Sequence, residues 1–144
     1  MKFLLDTMLG HLLTWLRLFG HDTVYVRGME DSEILSFSKA EERILVTRDR
    51  TLAEKAAKNN VRVVLLESVD TVSCLAKISA ETGAALRFDS ENSRCTKCNG
   101  VLSKISDSPV RWVCTVCGKN FWVGRHWKNI SKVLKALEER NIGR

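Results

Sequence analysis

Residues 43–66 read RILVTRDRTLAEKAAKNNVRVVLL, and their order decides the fold class. Arg43-Ile-Leu-Val-Thr47 is a continuous apolar run rich in β-branched residues, which predicts a strand. Leu52, Ala53, Ala56 and Ala57 recur at helical spacing behind Asp49, and Arg62–Leu66 is another apolar run. Strand, short helix and strand make a βαβ unit, whose strands run parallel. Neither run alternates apolar with polar residues, as expected where helices cover both faces of a sheet.

The same unit extends toward the N-terminus. Lys2–Leu5 and Thr23–Val26 predict strands. Leu9, Leu12, Leu13, Leu16 and Phe19 predict a helix stopping at Gly20. Ile34, Leu35, Phe37 and Ala40 predict a helix from Asp31 or Ser32, and Val69–Thr82 a fourth helix ending near Gly83. Residues 1–89 are therefore expected to form an α/β unit with a parallel sheet and helices on both faces. Arg87–Arg94 is polar and reads as a linker. Residues 90–144 are expected to form a second unit, in which Val110, Trp112 and Cys114 alternate as in an antiparallel hairpin. From Trp127 the pattern is helical again, with Ile130, Val133, Leu134 and Leu137 on one face.

Of the 144 residues, 44% are hydrophobic and 28% charged, which excludes a disordered chain. No apolar stretch approaches the roughly 18 residues of a membrane span. Met1–Asp6 is too short an apolar start for a secretory signal, so a cytoplasmic protein is expected. The net charge of +6 is unevenly placed. Residues 1–89 hold 12 Lys/Arg and 13 Asp/Glu, whereas residues 90–144 hold 11 and 4. A basic C-terminal half suits a polyanionic partner.

Four of the five cysteines form Cys95-x2-Cys98 and, after fifteen residues, Cys114-x2-Cys117. Two residues between thiolates let both sulfurs turn onto one ion, so the pattern predicts a tetrahedral structural Zn2+ site rather than two disulfides. Cys74, inside a helical pattern, reads as a small core residue.

Ligands of an open parallel sheet bind beyond the carboxyl ends of its strands. Asp6 closes the first strand, Asp49 follows the third, and Asp31 and Glu33 follow the second. Each of Asp6, Asp31 and Asp49 precedes a predicted helix, so each also reads as an N-cap. Convergence of all three favours a hard divalent cation, Mg2+ or Mn2+, as in phosphoryl chemistry. Arg17, Arg48 and Arg50 flank this edge as candidate phosphate ligands.

Three stretches carry a family resemblance: Asp6-Thr-Met-Leu-Gly10 with Trp15-Leu-Arg17-Leu-Phe-Gly20-His-Asp22; Asp31-Ser-Glu33-Ile-Leu with Arg43-Ile-Leu-Val-Thr47-Arg-Asp49-Arg50; and Phe121-Trp122-Val-Gly124-Arg-His126-Trp127 behind the knuckles. Together they resemble the PIN-like family called the mut-seven C-terminal ribonuclease domain, over about residues 3 to 134. The resemblance implies a PIN-like fold, a zinc ribbon and metal-dependent endoribonuclease activity. It places Asp6, Asp31 and Asp49 at the family's acidic positions, with Glu33 as an alternative for the middle one and Thr47 in the Thr-x-Asp motif. Thr51 stands where PIN enzymes often carry a further acid, which leaves one or two catalytic metals open. Asp70 is the remaining acid at that sheet edge.

In the tail, Trp112, Trp122 and Trp127 interleave with Arg111, Lys119, Arg125 and Lys128. Rings that stack bases and cations that track phosphates suit single-stranded RNA. Trp112 reads as core, and of the neighbours Phe121 and Trp122 one is expected to face solvent. His126 reads as structural or RNA-facing, since four cysteines fill a zinc shell. The expected function is a metal-dependent endoribonuclease; the alternative is a catalytically silent RNA-binding or RNP assembly factor. A phospho-acceptor domain fits less well, because the first strand lacks an adjacent acidic pair.

Overall fold

The structure is a computed structural model and describes residues 1–88, 91–124 and 127–140. Four strands, β1 (Lys2–Leu5), β2 (Asp22–Tyr25), β3 (Ile44–Thr47) and β4 (Val63–Leu65), form a parallel sheet in the order β2-β1-β3-β4. Both faces are covered, as the unbroken apolar runs predicted. Phe3, Leu5, Val46 and Val64 face a core shared with Leu16 of helix α1 (Leu13–Leu18) and Leu75 and Ile78 of α4 (Thr71–Thr82). Leu4 and Leu45 face the other core, with Ile34 of α2 (Asp31–Ala40) and Leu52 and Ala56 of α3 (Arg50–Lys58).

At their carboxyl ends the predicted second and fourth strands each reach one residue further than the observed ones. The pairing itself continues there, since Val26 N donates to Leu5 O and Leu66 N to Thr47 O. The predicted first helix is shorter and begins as a 3₁₀ turn at Gly10–Leu12. Gly10 lies where an added Cβ would stand 3.3 Å from the Tyr25 ring, so the turn is pressed against the end of β2.

The C-terminal strands β5 (Leu102–Asp107), β6 (Val110–Cys114) and β7 (Asn120–Trp122) form an antiparallel sheet in that order. Its small core is Cys95, Leu102, Trp112 and Cys114, against which Phe88 and Phe121 pack. Trp112 is buried and Trp122 is exposed, as the alternation predicted. Helix α5 (Trp127–Glu139) packs back on α4, and its Leu137 is fully buried in the larger α/β core.

The stretch predicted as a linker is pinned where it is described. Ser93 is buried and donates to Leu18 O at 2.8 Å, and Arg94 N donates to Arg17 O at 2.9 Å. Its polar groups thereby satisfy carbonyls that the end of α1 leaves open. Asp89 and Ser90, within the same stretch, lie outside the described residues.

Candidate active site and cysteine centre

The sheet order places a topological switch point between β1 and β3. The crossover through α1 leaves β1 toward β2 on one face, while α2 and α3 occupy the other face. A crevice opens at the carboxyl ends of such strands. There Asp6, half-buried, accepts a hydrogen bond on Oδ2 from Thr47 Oγ1 at 2.8 Å. Thr47 is fully buried and its Oγ1 also accepts from Asp49 N at 3.0 Å. Asp49 caps α3, its Oδ1 accepting from Leu52 N at 3.2 Å. One oxygen of each carboxylate, Asp6 Oδ1 and Asp49 Oδ2, therefore has no partner among the described residues. Asp6, Thr7, Met8, Arg48 and Asp49 line an open pocket of about 450 Å³.

The two readings of Asp6 separate here. No helix starts within reach of its carboxylate as a cap: the following turn begins at Gly10 behind Leu9, which makes no side-chain cap bond. Asp49 does cap, and Asp31 is the first residue of α2 behind Glu30. The other acids stand elsewhere. Asp31 pairs with Lys55 of α3 at 3.0 Å and does not line the pocket. Glu33 is exposed in the first turn of α2. Asp70 caps α4, and the bond from Ser73 N to its carboxylate holds its pKa below the usual range.

Of the three arginines, Arg48 lines the pocket, is exposed and makes no ion pair among the described residues. Arg50 stands 3.9 Å from Glu67 with both side chains well exposed, a contact of little energetic weight. Arg17 is not at this edge. It is buried at the amino end of the sheet, where Nε donates to Thr23 O at 3.0 Å and Nη1 to Thr96 O at 2.9 Å. Burial lowers its pKa, and the nearby Cys95 and Cys98 sulfurs work against that.

Cys95, Cys98, Cys114 and Cys117 place their sulfurs within 4.8 Å of one another, and all five cysteines are free. Cys95 and Cys117 Sγ are 3.7 Å apart, Cys98 and Cys114 Sγ 3.4 Å. A tetrahedral ion with bonds of about 2.3 Å would set sulfurs about 3.8 Å apart, so this donor set fits Zn2+. Burial works to raise the Cys114 thiol, but the N–H groups of Cys117 and Val116 pull it down to about 6. The Gly100 amide works to lower Cys98, yet its hydrogen bond with Cys114 and its loss of water push it up to about 11. Only Gly fits at position 100, where a Cβ would meet Cys114 Sγ at 2.9 Å. Cys74 is buried and donates to Ser68 O, a core residue as predicted.

Sequence reasoning missed Asn99, inside the first knuckle. Its side chain accepts from Thr23 N at 3.1 Å and donates to Asp22 Oδ1 at 2.6 Å, while Arg43 donates to the same carboxylate oxygen at 2.8 Å. Burial works to raise Asp22, but these donors hold its pKa below the usual range. An Asn-Gly pair signals a turn, and Asn99 does have φ 72°, but nothing local signals what it would dock against. Lys55 was missed for the same reason.

On the outer face of the small sheet, Arg111 and Trp122 are register partners. They line an open groove of about 560 Å³ with Ile105, Val110, Phe121 and Val123. Lys119 sits 5.1 Å from the centre of the Phe121 ring. Lys128 is exposed on the first turn of α5, while Arg125 and His126 lie outside the described residues.

The family model of the Mut7-C RNAse domain matches residues 1–134. The chain belongs to this family. Membership in the Mut7-C RNase domains marks the protein as nuclease-related and RNA as its substrate class. Comparison with curated proteins and with solved structures found no match. No helix among the described residues is long and apolar enough to cross a membrane.

Proposed function

We propose that this Mut7-C domain is a metal-dependent endoribonuclease of PIN-like mechanism that cuts single-stranded RNA in the cytoplasm. The observation that carries the reading is Asp6, a carboxylate at the switch point with no helix to cap, held by Thr47 and sharing its pocket with Asp49. Mg2+ binds through one or two carboxylates plus substrate phosphates, so two open oxygens are a sufficient protein contribution. A bound Mg2+ or Mn2+ supplies an activated water and neutralises charge at the scissile phosphate. Asp6 and Asp49 present the oxygens, and Thr47 fixes the Asp6 rotamer. Arg48 draws the phosphodiester to the pocket. Asp31 completes the acidic set once it leaves Lys55, with Glu33 as the neighbouring alternative. Arg50 and Asp70 play a supporting electrostatic part at the same edge.

In this reading residues 1–89 carry the chemistry, and residues 90–144, with Zn2+ on Cys95, Cys98, Cys114 and Cys117, grip the strand. Arg111, Lys119, Arg125, His126 and Lys128 meet phosphates, and Trp122 stacks a base. The test is cleavage of a single-stranded oligoribonucleotide with Mn2+ and with chelator. Asp6→Asn is expected to lose at least about 100-fold in rate, the scale on which catalytic electrostatic groups act. Full activity of that variant would sink the reading. A specific observation favours a second one: among the described residues only the cysteines bring three or more candidate ligands within 4.8 Å. On that reading the fold is a catalytically silent RNA-binding or RNP assembly factor, and RNA binds but is never cut.

A further inference from the structure

We propose a second ligand site at the opposite, amino edge of the parallel sheet: a phosphate-binding pocket formed by Lys2, Ser38, Lys39 and Arg62. An open cavity of about 480 Å³ lies there between the C-terminal ends of α2 and α3. Lys2, Lys39 and Arg62 are exposed around it and make no ion pair among the described residues, although Lys2 Nζ donates to Glu41 O at 3.4 Å. Arg43 also lines it, but Asp22 and Glu41 already neutralise that guanidinium. Glu42 is the one carboxylate in the lining, so Lys39 and Arg62, both uncommitted, and Lys2, held only by a carbonyl, face one acid.

Ser38 supplies the second, independent observation. It is 1% exposed, and among the described residues its Oγ is the one buried side-chain N or O atom without a hydrogen-bond partner. Native structures leave few buried polar atoms unpaired, and each such atom calls for a partner. Ser38 lines the cavity, so a side-chain rotation that turns Oγ toward it would let a phosphate oxygen supply one.

Two helix C-termini would ordinarily repel an anion. Here their last carbonyls are largely occupied. Arg43 N donates to Ser38 O and Glu42 N to Lys39 O, with Glu42 at φ 53°. Val61 N donates to Ala56 O and Asn60 N to Ala57 O, with Asn60 at φ 60°. Both helices thus end in left-handed caps that consume the oxygens most able to oppose an anion. The volume lies within the range of small-molecule sites and accommodates a nucleoside attached to the phosphate. The ligand is a phosphate group, either the terminal group of a free nucleotide or a diester of an RNA strand. The site is separate from the carboxylates of the opposite edge and does not depend on their activity.

The test is an amide-resolved NMR titration of the full chain with inorganic phosphate, a nucleoside 5′-monophosphate, a dinucleoside monophosphate lacking a terminal phosphate, and a bare nucleoside. Saturable shifts at Ser38, Lys39 and Arg62 are expected with the phosphates and not with the bare nucleoside. Preference for the 5′-monophosphate identifies a free nucleotide, and preference for the dinucleoside monophosphate identifies an RNA strand. Arg62→Ala should weaken binding about tenfold, as loss of one charge-assisted hydrogen bond does. Lys132→Ala, with the same change in charge on α5, should leave it unchanged. Ser38→Ala should raise the melting temperature of the free protein and weaken phosphate binding. Absence of saturable shifts at these amides, equal weakening by Lys132→Ala, or unchanged affinity in Ser38→Ala would each overturn the proposal.

Discussion

The Arg17 guanidinium donates to the Thr96 carbonyl across 79 positions of sequence and ties α1 to the first cysteine knuckle. Asn99 makes the second tie, to Asp22 and the Thr23 amide. The knuckle therefore sits at the amino edge of the sheet, opposite Asp6 and Asp49. Any strand of RNA that touches both the small sheet and the acidic pocket has to run along the side of the parallel sheet.

Arg17→Ala leaves one buried and one partly buried carbonyl without these donors, at a cost of about 2–4 kcal/mol. Groups supporting a metal's ligands typically alter metal affinity 10–100-fold. Zinc should therefore be lost at lower chelator concentration, measured by competition with a chromophoric chelator. Hydrogen exchange should also rise at Leu16–Thr23 when the metal is stripped from the unmodified protein. A chelated protein that loosens only in residues 95–122 would show that the cysteine knuckles and the α/β core are uncoupled.

Asp6→Asn keeps an oxygen that Thr47 can bond, so thermal stability should stay within about 0.5 kcal/mol, as for substitutions that spare packing. Mn2+-dependent cleavage should be lost. Asp70→Asn keeps its cap and serves as the comparison, with activity reduced only a few-fold, as for a charge that supports the site from a distance.

Lys55→Ala frees Asp31. The ion pair is substantially exposed, so its loss should cost no more than about 1 kcal/mol. If Asp31 joins the acidic set, half-maximal activity should come at lower Mn2+ concentration. An unchanged metal titration would exclude Asp31 as a ligand.

Trp122→Ala should weaken binding of single-stranded RNA by about 1–3 kcal/mol. Replacing Arg111 and Lys119 together should flatten the dependence of log affinity on log salt by roughly 1.4, at about 0.7 per phosphate contact. The rate at saturating RNA should change much less, since such contacts act equally in ground and transition states. An unchanged salt slope, read by fluorescence anisotropy, would assign the groove to some other partner.

His21 is buried, with Nε2 donating to the Ala85 carbonyl and Nδ1 facing the Met1 amine at 3.2 Å. Burial lowers its pKa, and the Met1 amine and Arg94 add to that. The folded protein then resists a proton that the unfolded chain accepts near pH 6.5, so stability falls as pH drops through that range. Asp22 has the opposite origin: its lowered pKa contributes stability above about pH 4 that is lost only on further acidification. Denaturant midpoints should therefore decline in two stages, and His21→Gln should remove the first.

Much of the architecture was legible in the sequence because it rests on periodicity. Unbroken apolar runs at Lys2–Leu5 and Arg43–Thr47, too short for helices and the second rich in β-branched residues, read as strands covered on both faces. Each Cys-x2-Cys pair turns two sulfurs onto one point through local chain geometry, and the short β5–β6 hairpin between the pairs brings all four together. Asp6 and Asp49 were legible too, since each closes or follows a strand at the carboxyl edge. Tertiary structure decided what depends on partners distant in sequence. Arg17 and Lys55 carry the same charge signal as any surface cation. Only packing shows that Arg17 is buried against Thr23 and Thr96, that Asp31 pairs with Lys55 outside the pocket, and that Leu137 returns α5 to the first core. The physical reason is that an ion pair or a buried hydrogen bond is defined by two positions at once. A strand, a helix or a knuckle is defined by residues a few places apart.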